Sequence, residues 1–448
     1  MFIPEELATI LGSTKELRSA FLVGGCVRDW LLGQPNKDFD IEVFGVSYEQ
    51  LAVALSRWGR PDLVGRSFGV LKLTTDAGST YDFNIPRRES KVGIGHTGFV
   101  VELDPAITPK EAASRRDYTI NALTFDPRRN ELLDFFGGRR DLQNRVLRHT
   151  SKAFAEDPLR VLRGMQFAGR FALRTAPETL EMCRRIAPTY RELAIERVWG
   201  EWYKWATRSV APSLGLRHLV DSGWTAHFPE VDALQGTPQD PEWHPEGDVF
   251  EHTRLMLQFL PEKVSVPLVF AVLLHDVAKP RTATVDNTGR IRFNEHDRIG
   301  AEMTEEIMRR LRFSGAEIDA TVEMVRQHMV FKDVPKMRIA KLKRFMARPT
   351  FEDELELHRV DCEGSHRMLD NYEFLLRKRE EFANEPIIPP PLVRGDDLIA
   401  LGLKPGPKFR EILDAVETGQ LEGTLRTSEE ALEWVKHEYG LGEGGRTQ

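Results

Sequence analysis

Two groups of residues in this chain are spaced for phosphate chemistry. Asp38 and Asp40 stand two apart in the run Asp38-Phe39-Asp40-Ile41-Glu42-Val43. Strict alternation is the period of a strand, so Asp38, Asp40 and Glu42 share one face and Phe39, Ile41 and Val43 the other. Neighbouring carboxylates facing one way repel unless a divalent cation lies between them, and hard oxygen ligands beside a triphosphate suit Mg²⁺. About a dozen residues upstream, Gly24-Gly25 stops the apolar run Phe21–Val23, and Val27–Leu32 reads as a short helix closed by Gly33. Backbone amides at such a turn can approach phosphate oxygens, Gly25 among them, and Arg28 one turn in adds positive charge.

The second group is His252, His275-Asp276, His296, His328 and Asp361, spread over a region of helical period. His275-Asp276 closes the apolar helix expected over Val266–Leu274. Adjacent His and Asp on a helix point about 100° apart, yet both reach one cation when partners arrive from other helices. Imidazoles favour softer transition metals such as Ni²⁺, Mn²⁺ or Co²⁺.

Other stretches carry charge in useful patterns. Tyr81–Ile85 alternates again and puts Asp82 on a polar face, either as a third carboxylate of the metal site or as an edge-strand acid. Arg87, Arg88 and Lys91, followed by Gly93, Gly95 and Gly98, suggest a mobile positive loop that closes over a phosphate-bearing substrate. Within Arg115–Leu123, Arg116 offers a guanidinium fork to a phosphate, while Asp117 and Asn121 suit ribose hydroxyls. Asp157 before Pro158 is a good helix N-cap, worth about 1 kcal/mol. It also shares a ridge with Arg160 and Arg163, apart from the core-facing ridge of Leu159, Leu162 and Met165. A carboxylate beside a guanidinium matches the Watson–Crick edge of a base.

These groups must be positioned by two kinds of architecture. Residues 1 to about 140 mix short strand-like runs with brief helices, and beyond Leu142 the period becomes helical almost throughout. The expected class is α+β: a small mixed head of sheet and helices, then all-α segments. Breaks at Gly236–Pro245 and Pro386–Pro391 divide the chain into a head (1–145), neck helices for base selection (146–235), a helical domain (236–385) and a tail (386–448). Gly442–Gln448 reads as disordered. A length of 448 residues suits several domains, and 41% hydrophobic with 29% charged residues is ordinary soluble composition. The net charge of −7 excludes domain-wide basic character, so any RNA site is a local stripe. Three scattered cysteines fit a reducing cytosol, and with no signal and no apolar run near the ~18 residues of a membrane helix, the expectation is a cytoplasmic protein.

Gly24 to Gly45 resembles the nucleotidyltransferase signature of the DNA polymerase β superfamily. More narrowly, it resembles the family of CCA-adding tRNA nucleotidyltransferases and bacterial poly(A) polymerases, whose pattern GGxVRDxLLG…DxDxxxxG is met at every fixed position. Arg115–Leu123 matches that family's RRDFTINAL with Tyr118 for Phe, and Glu156–Arg160 its EDxxR nucleobase motif. Asp141–Arg148 resembles the segment joining head to neck, and Glu196–Glu201 resembles ERxxxE, expected to buttress the neck. The family often has arginine three residues after Arg163; Gln166 here removes one triphosphate contact. The resemblance implies template-independent addition of CCA to the tRNA 3′ end from CTP and ATP. Asp38 and Asp40 would hold Mg²⁺, Gly25, Arg28, Arg116 and Arg163 would grip triphosphate, and Asp157 with Arg160 would choose the base. It also implies that the loop after Asp82 serves the switch to A addition. Within the same chemistry the alternatives are A-only or CC-only addition and poly(A) synthesis, although this chain lacks the long basic extensions of poly(A) polymerases.

The order H…HD…H…H…D resembles the HD phosphohydrolases, which implies a divalent metal, mono- or dinuclear, and 2′,3′-cyclic phosphodiesterase and phosphatase activity. His244 and Lys279 would support the ligands. A reading of another class follows from the same residues, a metal-dependent phosphohydrolase whose head only binds RNA. Around Lys404, Lys408 and Arg410 the tail offers either RNA-backbone contacts or an ordinary solvated turn.

Overall fold

The computed structural model describes residues 1–36, 38–62, 69–91, 99–104, 106–383 and 386–441, without the side chains of 88–91 and 99–102. The chain forms two compact units, Met1–Gln235 with Met308–Phe313, and Gly236–Ile307 with Ser314–Gln448.

Among the described residues, nine strands precede the helical part of the first unit: β1 (Ala20–Val23), β2 (Asp40–Val43), β3 (Gly59–Asp62), β4 (Val70–Thr75), β5 (Thr80–Asn84), β6 (Arg87–Lys91), β7 (Phe99–Leu103), β8 (Thr124–Asp126) and β9 (Glu131–Leu133). Seven form one mixed sheet in the order β3-β4-β5-β2-β1-β8-β9. The alternation expected for residues 38–43 holds: Phe39, Ile41 and Val43 are buried. Leu22, Ile41, Leu71 and Phe83 from four strands share a core with Ile10 of the helix Glu5–Ser13 and Leu51 of the helix Tyr48–Leu55. Fully burying such side chains contributes roughly 1.5–3 kcal/mol each. That burial also fixes register, because a slip of one residue would turn the acids inward. β2 and β5 run parallel, and Asp40 lies directly opposite Asp82. β5 sits between β4 and β2, so Asp82 is not an edge-strand acid.

One expectation is corrected here. Arg87, Arg88 and Lys91 lie in β6, which pairs antiparallel with β7 from Arg87 opposite Leu103 to Lys91 opposite Phe99. Arg-Arg-Glu-Ser-Lys has no apolar alternation; the strand forms because Phe-Val-Val-Glu-Leu supplies a strand-favouring partner. Gly93, Gly95 and Gly98 of the expected mobile loop lie outside the described residues, as does Gly442–Gln448.

The remainder of this unit is helical, apart from the two-residue pair Val146–Leu147 with Arg174–Thr175. The helix Leu159–Phe171 packs on Ile195–Arg208 and Pro212–Asp221. The close approach to Pro212–Asp221 depends on Gly164 and Gly215: a Cβ on Gly164 would lie 2.8 Å from His218 Nε2, and one on Gly215 2.6 Å from the Met165 carbonyl oxygen.

In the second unit, helices Val249–Met256, Val266–Leu274, Gly315–Gln327 and Phe351–Gly364 pack together. Val266–Leu274 appears where its sequence predicts, and eight of its nine residues are buried. A short hairpin, Ala283–Val285 with Ile291–Phe293, interrupts the helices. Pro386–Pro391 contains no helix. Beyond it, Val393, Leu398, Ile412, Val416, Ala431 and Val435 form a separate small core. Among the described residues no helix is long and apolar enough to cross a membrane.

Candidate active sites

The turn after β1 leads directly into the helix Gly25–Leu31, two residues earlier than the sequence suggests. Gly24 has φ +73°, and a Cβ there would meet Arg116 Nη1 at 2.6 Å, so only glycine allows the arginine this position. The helix N-terminus opens on a cavity of about 480 Å³. Gly24, Gly25, Arg28, Asp40 and Arg116 form part of its wall, with Asp117 and Asn121. Asp157, Arg160, Arg163 and Arg197 complete it, so five arginines face one space. Such a concentration of guanidinium groups is a receptor for a polyanion.

These arginines are held, not waving. Arg28 is buried; it donates from Nη1 to Asn121 Oδ1 at 2.5 Å and from Nε to Asp29 at 2.8 Å, and its guanidinium lies 4.3 Å from the Phe171 ring centroid. Asp117 Oδ1 accepts from the Tyr118 N–H (2.7 Å) and from Asn121 Nδ2 (3.0 Å), and Oδ2 from Arg163 Nε (2.8 Å). Burial works to raise the Asp117 carboxyl, but Arg163 and these donors outweigh it and hold it below its usual value. Asp117 and Asn121, expected at ribose hydroxyls, therefore line the cavity and brace two of its cations.

Asp157 precedes the helix and caps it, accepting from the Leu159 N–H at 3.0 Å. Its other oxygen accepts from Arg197 Nη2 at 2.8 Å. Arg160 instead spends two N–H groups on the carbonyls of Ala153 and Arg115, both at 2.8 Å. Arg197, expected only to buttress the neck, thus belongs to the cavity. Its place in the first turn of an amphipathic helix gave no sign of this, since the contact spans 40 residues. Gln166 is buried and does not line the cavity, so its departure from the family pattern sits in the packing.

Acidic residues gather at one end. Asp40 faces Asp82 across the parallel pair, Asp38 lies just before β2, and Arg116 reaches to 3.5 Å from Glu42. Partial burial raises the Asp40 carboxyl, Arg116 opposes this, and Asp82, Asp38 and Glu42 raise it further. Asp82 Oδ1 is buried without a hydrogen-bond partner, with Lys72 Nζ at 3.7 Å. Crowded carboxylates with an unsatisfied oxygen are the donor set a hard divalent cation requires.

In the second unit the structure brings all six residues of the expected set together. Asp276 is central: Oδ2 lies 3.0 Å from His275 Nε2, and Oδ1 3.5 Å from His296 Nε2 and 4.0 Å from His328 Nε2. His252 Nε2 lies 3.1 Å from Asp361 Oδ1 and 3.9 Å from Asp276. Three of the histidines direct Nδ1 to a backbone carbonyl within their own turn: His275 to Val272, His296 to Phe293, His328 to Val325. A carbonyl only accepts, so Nδ1 carries the proton and Nε2 is left as a ligand. His252 differs, since its Nδ1 faces Glu246 Oε1 at 2.8 Å, and the same oxygen lies 2.9 Å from His244 Nδ1. Lys279 Nζ sits 2.7 Å from Asp276 and donates to Gln239 at 2.7 Å. Burial and the neighbouring His296 and His275 push His328 down to about 3. Burial also disfavours charged His252, but Asp361 and Glu246 outweigh it and lift the imidazole to about 9. The bare Nε2 atoms of His275, His296 and His328 around the shared Asp276 carboxylate suit a divalent metal.

The two regions match known families separately. Residues 20–148 match the poly A polymerase head domain and residues 249–360 the HD domain. The chain is 37% identical over 362 residues to the multifunctional CCA protein of Methylococcus capsulatus, covering 78% of this chain and 81% of that protein. It is 38% identical over 326 residues to the multifunctional CCA protein of Xanthomonas campestris pv. campestris, covering 71% and 77%. The CCA-adding enzyme of Bacillus stearothermophilus, solved in complex with CTP, has the same fold, with TM-score 0.69, 19% identity and 98% of each chain covered. The Thermotoga maritima CCA-adding enzyme complexed with tRNA gives TM-score 0.64 at 20% identity, covering 98% of this chain and 96% of that one.

Proposed function

Because this chain belongs to the family of multifunctional CCA proteins, we propose that it builds and repairs the 3′-CCA end of tRNA from CTP and ATP without a template. The chain is a nucleotidyltransferase, and the observation that carries the reading is the cavity joining Gly25, Asp40, Arg116, Asp157 and Arg163 in one space. We read residues 1–145 as the head, 146–235 as the neck, 236–385 as the HD domain and 386–448 as the tail.

Asp38, Asp40 and Asp82 would hold Mg²⁺, which supplies charge neutralisation for the triphosphate and for the attacking tRNA 3′-hydroxyl. The hydroxyl displaces pyrophosphate from the α-phosphate of the nucleotide. Gly25 amide, Arg116 and Arg163 grip the triphosphate; Arg28, in the same wall, is held by Asn121. Asp157, locked by Arg197, presents one edge to the base, with Arg160 beside it. Protein thus supplies positioning and electrostatics, with no covalent intermediate. The retained segment after Asp82 and the absence of a strongly basic chain favour CCA over CC-only addition and over poly(A) synthesis. The cytoplasm, where tRNA and both nucleotides are found, is the expected compartment.

The HD domain is a second, phosphohydrolase site for 2′,3′-cyclic phosphodiesters and phosphomonoesters, with Ni²⁺, Mn²⁺ or Co²⁺ on the imidazoles. Its residues and those of the first cavity come from different segments and share no ligand. Asp40→Ala therefore abolishes nucleotide addition and leaves tRNA binding and phosphohydrolysis in place. The double variant His275→Ala, Asp276→Ala, checked for an unchanged melting profile, loses phosphohydrolysis and keeps addition within a few-fold. Addition at near wild-type rate by Asp40→Ala would overturn the assignment of the first site.

A further inference from the structure

Resting on the phosphohydrolase reading of the histidine site, we propose that Trp243 and His366 form a shelf for a nucleobase at its mouth. The ester hydrolysed there would then be recognised by its base as well as its phosphate. Of the chain's eight tryptophans, all described, Trp243 alone is more than a third exposed, at 39%. It immediately precedes His244, whose ring lies 4.8 Å from that of His252. Asp361 is the outermost of the ligand set, its side chain 28% exposed while those of His252, His275 and Asp276 are nearly closed off, so the site opens on the Asp361 side. The turn that follows Asp361 carries His366, and the ring of His366 stands edge-on to Trp243, with centroids 5.9 Å apart and planes at 87°.

That turn is built, not slack. Ser365 Oγ donates to the Asp361 carbonyl at 2.7 Å, Arg367 N–H to the Cys362 carbonyl at 2.7 Å, and Met368 N–H to His366 Nδ1 at 3.0 Å. The last bond fixes the His366 ring, and the ring in turn supports the indole. A partly exposed indole beside the histidine site offers a flat face which an aromatic ring can cover. Every base has a π face, so stacking selects nucleoside esters over simple ones without choosing among bases.

The test compares adenosine 2′,3′-cyclic phosphate with glycerol 1,2-cyclic phosphate, which has the same strained phosphodiester ring and no base. Stacking one base on an aromatic side chain is worth about fivefold to a hundredfold in binding. Trp243→Ala therefore raises KM for the adenosine ester about tenfold and leaves the glycerol ester unchanged, and Trp243→Phe stays near wild type on both. Separately, adenosine 3′-monophosphate quenches the tryptophan emission of the full-length protein, and Trp243→Phe removes the quench while keeping the affinity. Equal changes on both esters, no change on either, or a quench that survives in Trp243→Phe would overturn the shelf. If wild-type protein hydrolyses neither ester the phosphohydrolase reading fails, and the quench alone decides the shelf.

Discussion

His296 and His328 point Nε2 at each other across 3.1 Å, and in both rings Nδ1 is committed to a backbone carbonyl. Two nitrogen lone pairs at that distance repel unless something positive lies between or beside them. The arrangement suits a divalent cation by its own electrostatics, before any likeness is considered. Added Ni²⁺, Mn²⁺ or Co²⁺ should raise the melting temperature by several degrees, since ligand at a hundred times its Kd stabilises by about 2.7 kcal/mol. His328→Ala should lose most of that shift and bind the metal more weakly by calorimetry. An equal shift in the variant would place the metal elsewhere.

Arg197 is the residue whose role the structure changes most. Its bond to Asp157 orients the carboxylate proposed to read the base. Charged hydrogen bonds are worth about 1.5–3 kcal/mol. Arg197→Ala should lower kcat/KM for CTP and ATP by roughly ten- to a hundredfold and raise misincorporation of UTP and GTP. A purely supporting role in the neck would lower stability and leave nucleotide choice unaltered. Single-turnover incorporation with each of the four nucleotides separates the two.

His218 ties folding to pH. It is fully buried, with Nε2 against the Val161 carbonyl at 3.0 Å and Nδ1 against Thr175 Oγ1 at 2.8 Å. Burial pushes its pKa down from 6.5 to about 4, although the Val161 contact works the other way. The folded state therefore keeps His218 neutral while the unfolded state takes up a proton. Stability from this residue is full above pH 6.5 and is lost as pH falls toward 4, by on the order of 3 kcal/mol. Urea denaturation at pH 7.5 and 5 should show the decline, and His218→Gln should flatten it in proportion. An unchanged pH slope in that variant would contradict the assignment.

Local periodicity made part of this readable in the sequence. Phe39, Ile41 and Val43 are buried as their alternation requires, and Val266–Leu274 is a helix buried on nearly all sides, because both patterns are decided within one segment. The two motif sets were legible as residue types, and each occupies one region of the structure. Non-local pairing was not legible. Asp82 could be placed on a polar face, but its position opposite Asp40 depends on a parallel pairing between strands some forty residues apart. The β6–β7 hairpin was missed because Arg87–Lys91 carries no apolar pattern of its own. Arg197 and Glu246 were hidden for a related reason. Each acts through a side chain it meets only in the folded state, Asp157 in one case and His252 with His244 in the other.

Addition of CCA to tRNA is decided by one incubation. Three tRNA transcripts, ending before the first C, before the A, and at the full CCA end, are each given CTP, ATP or both, with Mg²⁺. CTP alone should add CC to the first transcript, ATP a single A to the second, both together CCA to the first, and none should extend the third. Long oligo(A) products, or no incorporation by protein that binds tRNA and hydrolyses phosphate esters, would contradict it.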